Sequence, residues 1–232
     1  MPVSVQLLTQ FPLLQSLTRE ELEKLSSRMN LRSFARRAMV LSKDASVFEL
    51  GFLVDGRLQG LDFTVDGRSV GLYFVDPGDY FGELTVVDGQ PPAEFVVAAM
   101  KSTVAFLDAD TVREVILSHQ EAAKAVMQKL ARRIREVTAQ RTLLSLPNPF
   151  QRLCVLLLQL PSSQLKDQRV VEQIPTHQEL AIMINASRET VTRAFQLLFT
   201  QRILVRDGNS LIIIEPVVIK DIAEGRMPPP KA

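Results

Sequence analysis

Between Pro175 and Leu198 the chain starts a helix twice in quick succession, and no other feature limits its possible folds so sharply. Thr176-His177-Gln178-Glu179 has the T-x-x-E spacing of a capping box, in which hydroxyl and carboxylate each satisfy the other's backbone N–H. Pro175 ends whatever precedes it. Leu180, Ala181 and Ile184 recur at helical spacing, and the small Ala181 lets a second helix cross closely. Asn185 falls where the turn needs a left-handed residue, a conformation Asn tolerates better than most. Ser187 then caps a second helix whose inner face is Val191, Ala194, Phe195, Leu197 and Leu198. Downstream, two β-rich runs, Ile203-Leu204-Val205 and Leu211-Ile212-Ile213-Ile214, flank the turn Asp207-Gly208-Asn209-Ser210, a hairpin signal. The order is that of a winged helix-turn-helix. Arg188, Glu189 and Arg193 stand outward on the second helix. Arg can grip guanine O6 and N7 bidentately and Glu can accept from cytosine N4. The N-terminal part of such a helix is the part that enters a major groove. A small helical domain with a charged solvent face is the plain alternative; the caps, polar edge and wing together favour double-stranded DNA.

At 232 residues the chain is long enough for two modest domains. A formal net charge of +1 makes any attraction to DNA local rather than global. The single cysteine, Cys154, lies in an apolar helical stretch and predicts a core thiol; no disulfide or multi-cysteine metal site is possible within one chain. The N-terminus lacks a charged, then apolar, signal pattern, and no run reaches membrane-spanning length. The expectation is a cytoplasmic protein with no membrane partner.

Residues 12–30 read as helical, with Thr18-Arg19-Glu20-Glu21 as a second capping box. From Leu31 to Phe106 short β-rich pieces alternate with the turns Val54-Asp55-Gly56, Val65-Asp66-Gly67, Asp76-Pro77-Gly78 and Val87-Asp88-Gly89, the rhythm of a sandwich or barrel. Asp108 to Leu144 is helical again. Val126, Leu130, Ile134, Val137 and Leu144 form an apolar seam, broken at Arg141, that suits a homodimer contact. Lys124, Lys129, Arg132, Arg133 and Arg135 lie mostly off that seam, as a solvated face would. Leu146-Pro147-Asn148-Pro149 marks a boundary. The expected fold is α+β: an N-terminal double-stranded β-helix (a jelly-roll-like β-roll) over 1–110, a long dimerisation helix and hinge over 111–146, and the winged helix-turn-helix over 147–232.

This order of parts resembles the CRP/FNR family of bacterial transcription regulators, over residues 10–216. Two patches carry the resemblance. Gly78-Asp79-Tyr80-Phe81-Gly82-Glu83-Leu84 looks like the family's G-D-x-[FI]-G-E-[LM] segment, and Ser187-Arg188-Glu189-Thr190-Val191-Thr192-Arg193 looks like the recognition helix of its cyclic-AMP-receptor branch. The resemblance implies a dimer reading TGTGA-type half-sites through Arg188, Glu189 and Arg193. It places Thr176, Gln178, Ser187 and Thr190 near phosphates, where contacts set register without reading sequence. It also implies RNA polymerase as a partner, with the loop Ser162 to Arg169 as the candidate surface.

The first patch resembles the family's phosphate-binding cassette, with a glycine turn exposing N–H groups and Glu83 accepting from a ribose hydroxyl. Gly82, Glu83, Leu84 and Thr138 are the implied ligand contacts. The family completes the cassette with Arg followed by Ser or Ala; this chain has Pro92 and Ala93. Charge-assisted hydrogen bonds contribute about 1.5–3 kcal/mol each, so cyclic AMP is disfavoured as the effector. Three expectations stand: another nucleotide, such as cyclic di-GMP, that uses Arg57 or Arg68; a ligand-independent regulator; or Gly82 and Glu83 as fold-forming residues only. The chain contains two histidines, His119 and His177, and neither lies in the Leu31–Phe106 segment, so a cupin-like metal enzyme lacks its ligands. No GxSxG elbow or Walker loop is present. A nucleotide-sensing subunit that binds no DNA is disfavoured by the Arg-Glu-Arg edge.

Overall fold

A computed structural model describes residues 3–165 and 168–230. The chain divides into two compact units, Met1–Asp62 with Leu72–Val137 and Phe63–Gly71 with Thr138–Ala232.

The first part of the chain runs α1 (Val5–Leu8), α2 (Arg19–Arg28), β1 (Asn30–Phe34), β2 (Met39–Leu41), β3 (Glu49–Asp55), β4 (Leu58–Phe63), β5 (Ser69–Val75), β6 (Tyr80–Phe81), α3 (Glu83–Asp88), β7 (Phe95–Ala98), β8 (Ser102–Asp108), α4 (Ala109–Ser118) and α5 (Gln120–Ser145). Two four-stranded sheets, ordered β1-β8-β3-β6 and β2-β7-β4-β5, form the β-roll. The capping box at Thr18 starts α2 as its spacing predicts. The expected turns fall at Gly56, Gly67, Gly78 and Gly89, though Gly89 closes α3 rather than joining two strands.

Two cores hold this unit. In one, Phe11, Phe52 and Tyr80 meet Val112, Ala122 and Val126 from α4 and α5. The edge-on Phe11–Phe52 pair, 5.0 Å between centroids, adds about 0.5–1.5 kcal/mol beyond its buried area. The other core fills the roll with Leu53, Tyr73, Phe81, Val96 and Phe106. Gly60 permits this filling: a Cβ there would meet the Tyr73 ring at 2.3 Å.

The helical region after Asp108 is not continuous. His119 is extended (φ −126°, ψ 111°) and separates α4 from α5. The apolar seam also divides. Val126 is buried and Leu130 packs beside it against the chain's own core, whereas Ile134 and Val137 are exposed.

The rest comprises α6 (Pro149–Gln159), β9 (Ser163–Leu165), β10 (Gln168–Val171), α7 (His177–Met183), α8 (Arg188–Thr200), β11 (Leu204–Asp207), β12 (Ser210–Ile213) and α9 (Pro216–Ala223). Asn148 caps α6 through Phe150 N at 2.9 Å. The third sheet has the order β11-β12-β10-β9. The stretch Ser162 to Arg169, expected as a loop, is mostly paired: Gln164 faces Arg169 and Ser163 faces Val170. Its residues 166 and 167 lie outside the described ones. Cys154 is fully buried, and burial pushes its thiol pKa up to about 12, as befits a core residue. Among the described residues no helix is long and apolar enough to cross a membrane.

Candidate nucleic-acid interface and effector pocket

The helix-turn-helix is built by local signals that close as their spacing predicts. Thr176 Oγ1 accepts from Glu179 N at 3.4 Å while Thr176 N donates to Glu179 Oε2 at 2.9 Å. Leu180, Ala181 and Ile184 are buried to within 1%. Asn185 takes φ +47°, the left-handed conformation the turn requires. A β-branched residue there is strained by about 1–3 kcal/mol. Asn185→Val is therefore expected to lower unfolding stability by that amount and Asn185→Gly to change it by less than about 0.5 kcal/mol, read by denaturant melts. Ser187 Oγ then accepts from Thr190 N at 3.2 Å and opens α8.

Arg188, Glu189 and Arg193 are exposed on α8, beside exposed Thr176, Gln178 and Ser187 and half-buried Thr190. Val191, Ala194, Phe195 and Leu198 face inward; Leu197 is only half-buried. Glu189 has its pKa lowered, by its own backbone N–H first, then the Ser187 hydroxyl and the Arg188 and Arg193 charges. It is thus an anionic acceptor between two cations. The wing forms as expected, with Asp207 facing Ser210 across a two-residue turn. Also within the second unit, Gln140 Nε2 donates to Gly71 O at 3.0 Å and Met183 O at 2.7 Å, tying α7 in place.

His177, the first residue after the Thr176 cap, packs into the interior of this unit. Its ring stacks on Phe195 at 4.8 Å, and Nδ1 lies 2.9 Å from Thr192 Oγ1. Thr192 spends its own proton on Arg188 O, so Nδ1–H is the donor. Burial first, then Arg206 and Arg188, hold the His177 pKa below 6.5. The unfolded chain binds this proton more readily, so stability is lost as pH falls from 6.5 towards the folded value, and no further below it. His177→Phe keeps the stack and removes the titration; melting temperature should then vary less between roughly pH 7 and pH 5 than in the parent.

In the first unit the cassette residues also come together. Gly82 adopts φ +86°, and a Cβ there would meet Glu49 O at 2.9 Å, so the turn into α3 needs glycine. Glu83 is 2% exposed, and neither of its carboxylate oxygens accepts a hydrogen bond. Its counterion is Arg133 of α5, with Nε 3.4 Å from Oε1. The Arg133 guanidinium lies 3.1 Å over the Tyr73 ring. Tyr73 in turn donates to Glu94 Oε1 at 2.7 Å, and Glu94 is buried. Lys129, one helical turn earlier, is buried with Nζ 2.6 Å from both Asp79 oxygens. Two cations assigned from the sequence to a solvated face thus point inward. Pro92 is buried and Ala93 exposed. Leu84 is half-buried and Thr138 is exposed. Arg57 is engaged by Asp76 at 2.7 Å, and Arg68 by Asp66 at 2.9 Å on an exposed turn. Sequence reasoning missed Tyr73, Glu94 and Arg133; the acidic residue directly after Ala93 was the available signal.

The cyclic nucleotide-binding domain family matches residues 31–119, and the Crp-like helix-turn-helix domain family matches residues 151–221. The chain is 30% identical over 142 residues to a CRP-like cAMP-activated global transcriptional regulator of Mycobacterium tuberculosis, covering 59% of this chain and 62% of that one. The chain thus matches under two thirds of that relative's length. It is 29% identical over 154 residues to the cyclic AMP receptor protein of Thermus thermophilus, covering 64% and 67%. Among solved structures, a CooA mutant from Carboxydothermus hydrogenoformans shares the fold at a TM-score of 0.75 and 15% identity, covering 96% of this chain and 98% of that one. The chain thus matches a cyclic nucleotide-binding domain family and, after it, a Crp-like helix-turn-helix domain family, the order of parts expected from its sequence, and it is similar to CRP-like transcriptional regulators.

Proposed function

We propose that the protein is a homodimeric regulator that binds palindromic DNA with TGTGA-like half-sites. One observation carries the reading: Arg188, Glu189 and Arg193 all stand exposed on a helix whose N-terminus is capped by Ser187. Free N–H groups at that terminus and the hydroxyls of Thr176, Ser187 and Thr190 suit phosphates. The guanidinium–carboxylate–guanidinium edge suits base edges. RNA polymerase is the partner such a regulator needs, and the described part of Ser162 to Arg169 is the surface we assign to it. Titration of the protein with a TGTGA palindrome and with a scrambled duplex, at one salt concentration, tests the reading. Equal affinity for both would overturn it, as would binding to neither.

Cyclic AMP activates the mycobacterial relative by its name. In this chain Pro92 stands where the phosphate arginine would be, and the buried Glu94 carboxylate lies two residues on. A cyclic phosphate placed there would meet like charge. The nucleotide alternatives that rely on Arg57 or Arg68 find both already paired with aspartates. Regulation without a cyclic nucleotide is the reading these contacts support.

A further inference from the structure

Three elements of the second unit bring nitrogen bases to one place beside the helix assigned to base reading. His177 opens α7, Arg188 opens α8 and Arg206 stands on β11. Both arginine charges act on the His177 ring. Arg188 is the base reader proposed above. Arg206 is exposed and, among the described residues, engages only through Nε, on Gly208 O at 3.1 Å. Glu179, the acid of the same helix as His177, gives Oε2 to Thr176 N at 2.9 Å. The His177 ring is half-buried and lies flat on Phe195. Its tautomer is fixed from one side. Thr192 Oγ1 has one proton and donates it to Arg188 O at 2.9 Å, so towards Nδ1 it can only accept. The neutral ring therefore carries its proton on Nδ1 and a bare lone pair on Nε2. Nε2 has no hydrogen-bond partner among the described residues. A lone pair repels a phosphate oxygen, whereas a charged N–H at the same atom binds it. Only the imidazolium can use this edge on DNA.

We propose that His177 is a proton-gated phosphate contact: docking of a duplex draws a proton from solvent onto Nε2, which then donates to a backbone phosphate oxygen beside Arg206. The inference rests on the DNA-binding assignment and adds to it that affinity depends on pH. In the free protein, burial first, then Arg206 and Arg188, favour the neutral ring. A phosphate at Nε2 opposes that preference, because an opposite charge favours the charged form. Affinity is then constant where the ring is neutral with and without DNA. It rises as pH falls through the window between the bound and free pKa values, and levels below the free one, which lies under 6.5. A phosphate contact carries no sequence information, so the gain is the same on any duplex.

Anisotropy titrations of the full chain from about pH 8 to about pH 5.5, at one salt concentration, test the proposal on a TGTGA palindrome and on a scrambled duplex. The parent's affinity should rise roughly tenfold on both, the product of about a threefold gain at each of two protomers. His177→Phe keeps the stack and lacks the proton, so its affinity should change by less than about twofold over the same range. His119 is present in both proteins and cancels in the comparison. A flat profile in the parent, or a parent-like slope in His177→Phe, would overturn the proposal. Should His177→Phe not fold, Thr192→Val decides. It removes the acceptor that fixes the tautomer, so the neutral ring can place its proton on Nε2. That variant should bind more tightly than the parent at the alkaline end and show a shallower slope; parent-like behaviour at both ends would overturn the proposal. Equal affinity for the two duplexes with the pH slope intact would remove the TGTGA assignment and support the phosphate contact. Preference for the palindrome without the slope would do the reverse, and binding to neither duplex would overturn both.

Discussion

Arg188→Ala should lower affinity for a TGTGA palindrome by roughly 30-fold or more while changing affinity for a scrambled duplex by only a small factor. Each bidentate arginine–guanine contact carries about 1–3 kcal/mol of discrimination, and the proposed dimer would lose it at both half-sites. The geometry permits this loss without structural cost, because Arg188 is exposed at the start of α8 and its side chain holds no part of the core. Melting temperature should stay within about 1–2 °C of the parent, as for other surface changes. Thr176→Ala offers the contrast. Its hydroxyl caps α7 and in the proposed complex would face a phosphate, so its loss should weaken cognate and scrambled DNA alike and also lower stability by about 1 kcal/mol. Anisotropy titrations of both variants on both duplexes separate reading from positioning. A uniform loss for Arg188→Ala would remove it from base recognition.

The parts of this protein that were legible in its sequence are those set by short-range chemistry. Two capping boxes, the left-handed Asn185 and the two-residue wing turn each depend on residues within one or two turns of each other. Local spacing therefore determines them. The candidate effector site was only half legible. Gly82 and Glu83 stand out as a glycine turn followed by an acid, but helical periodicity alone assigns Lys129 and Arg133 to solvent. They turn inward because Asp79 and Glu83, about fifty residues earlier, hold carboxylates there. A buried carboxylate without a partner costs several kcal/mol, and that demand outweighs the preference of a lysine or arginine for water. Long-range pairing of this kind leaves no mark on periodicity. The break at His119 was hidden for a similar reason. Its ring reaches Val115 O at 3.2 Å and Glu21 Oε1 at 3.1 Å, and Glu21 lies on α2, far away in the chain.

The divided seam of α5 leads to the second large effect. Val126 and Leu130 are spent on the chain's own core, so the proposed dimer contact would be built from what is left. Met127 is 62% exposed, Ile134 67% and Val137 51%. Met127 and Ile134 are one heptad apart and Val137 follows at the next a/d-type step, so all three share a stripe along the helix. Burying such side chains stabilises by about 1.5–3 kcal/mol each, and a two-fold contact counts every one twice. Ile134→Glu replaces the central member with a charge that would face its own copy across the axis. The variant should fold normally, since the residue is exposed within one chain, but should sediment as a monomer at micromolar concentration. Palindrome affinity should then fall by more than about a hundredfold, because the second half-site no longer binds at high effective concentration, while affinity for a single half-site should hardly change. A variant that still sediments as a dimer would move the interface away from this stripe. A monomer that keeps full palindrome affinity would show that the two half-sites are read independently.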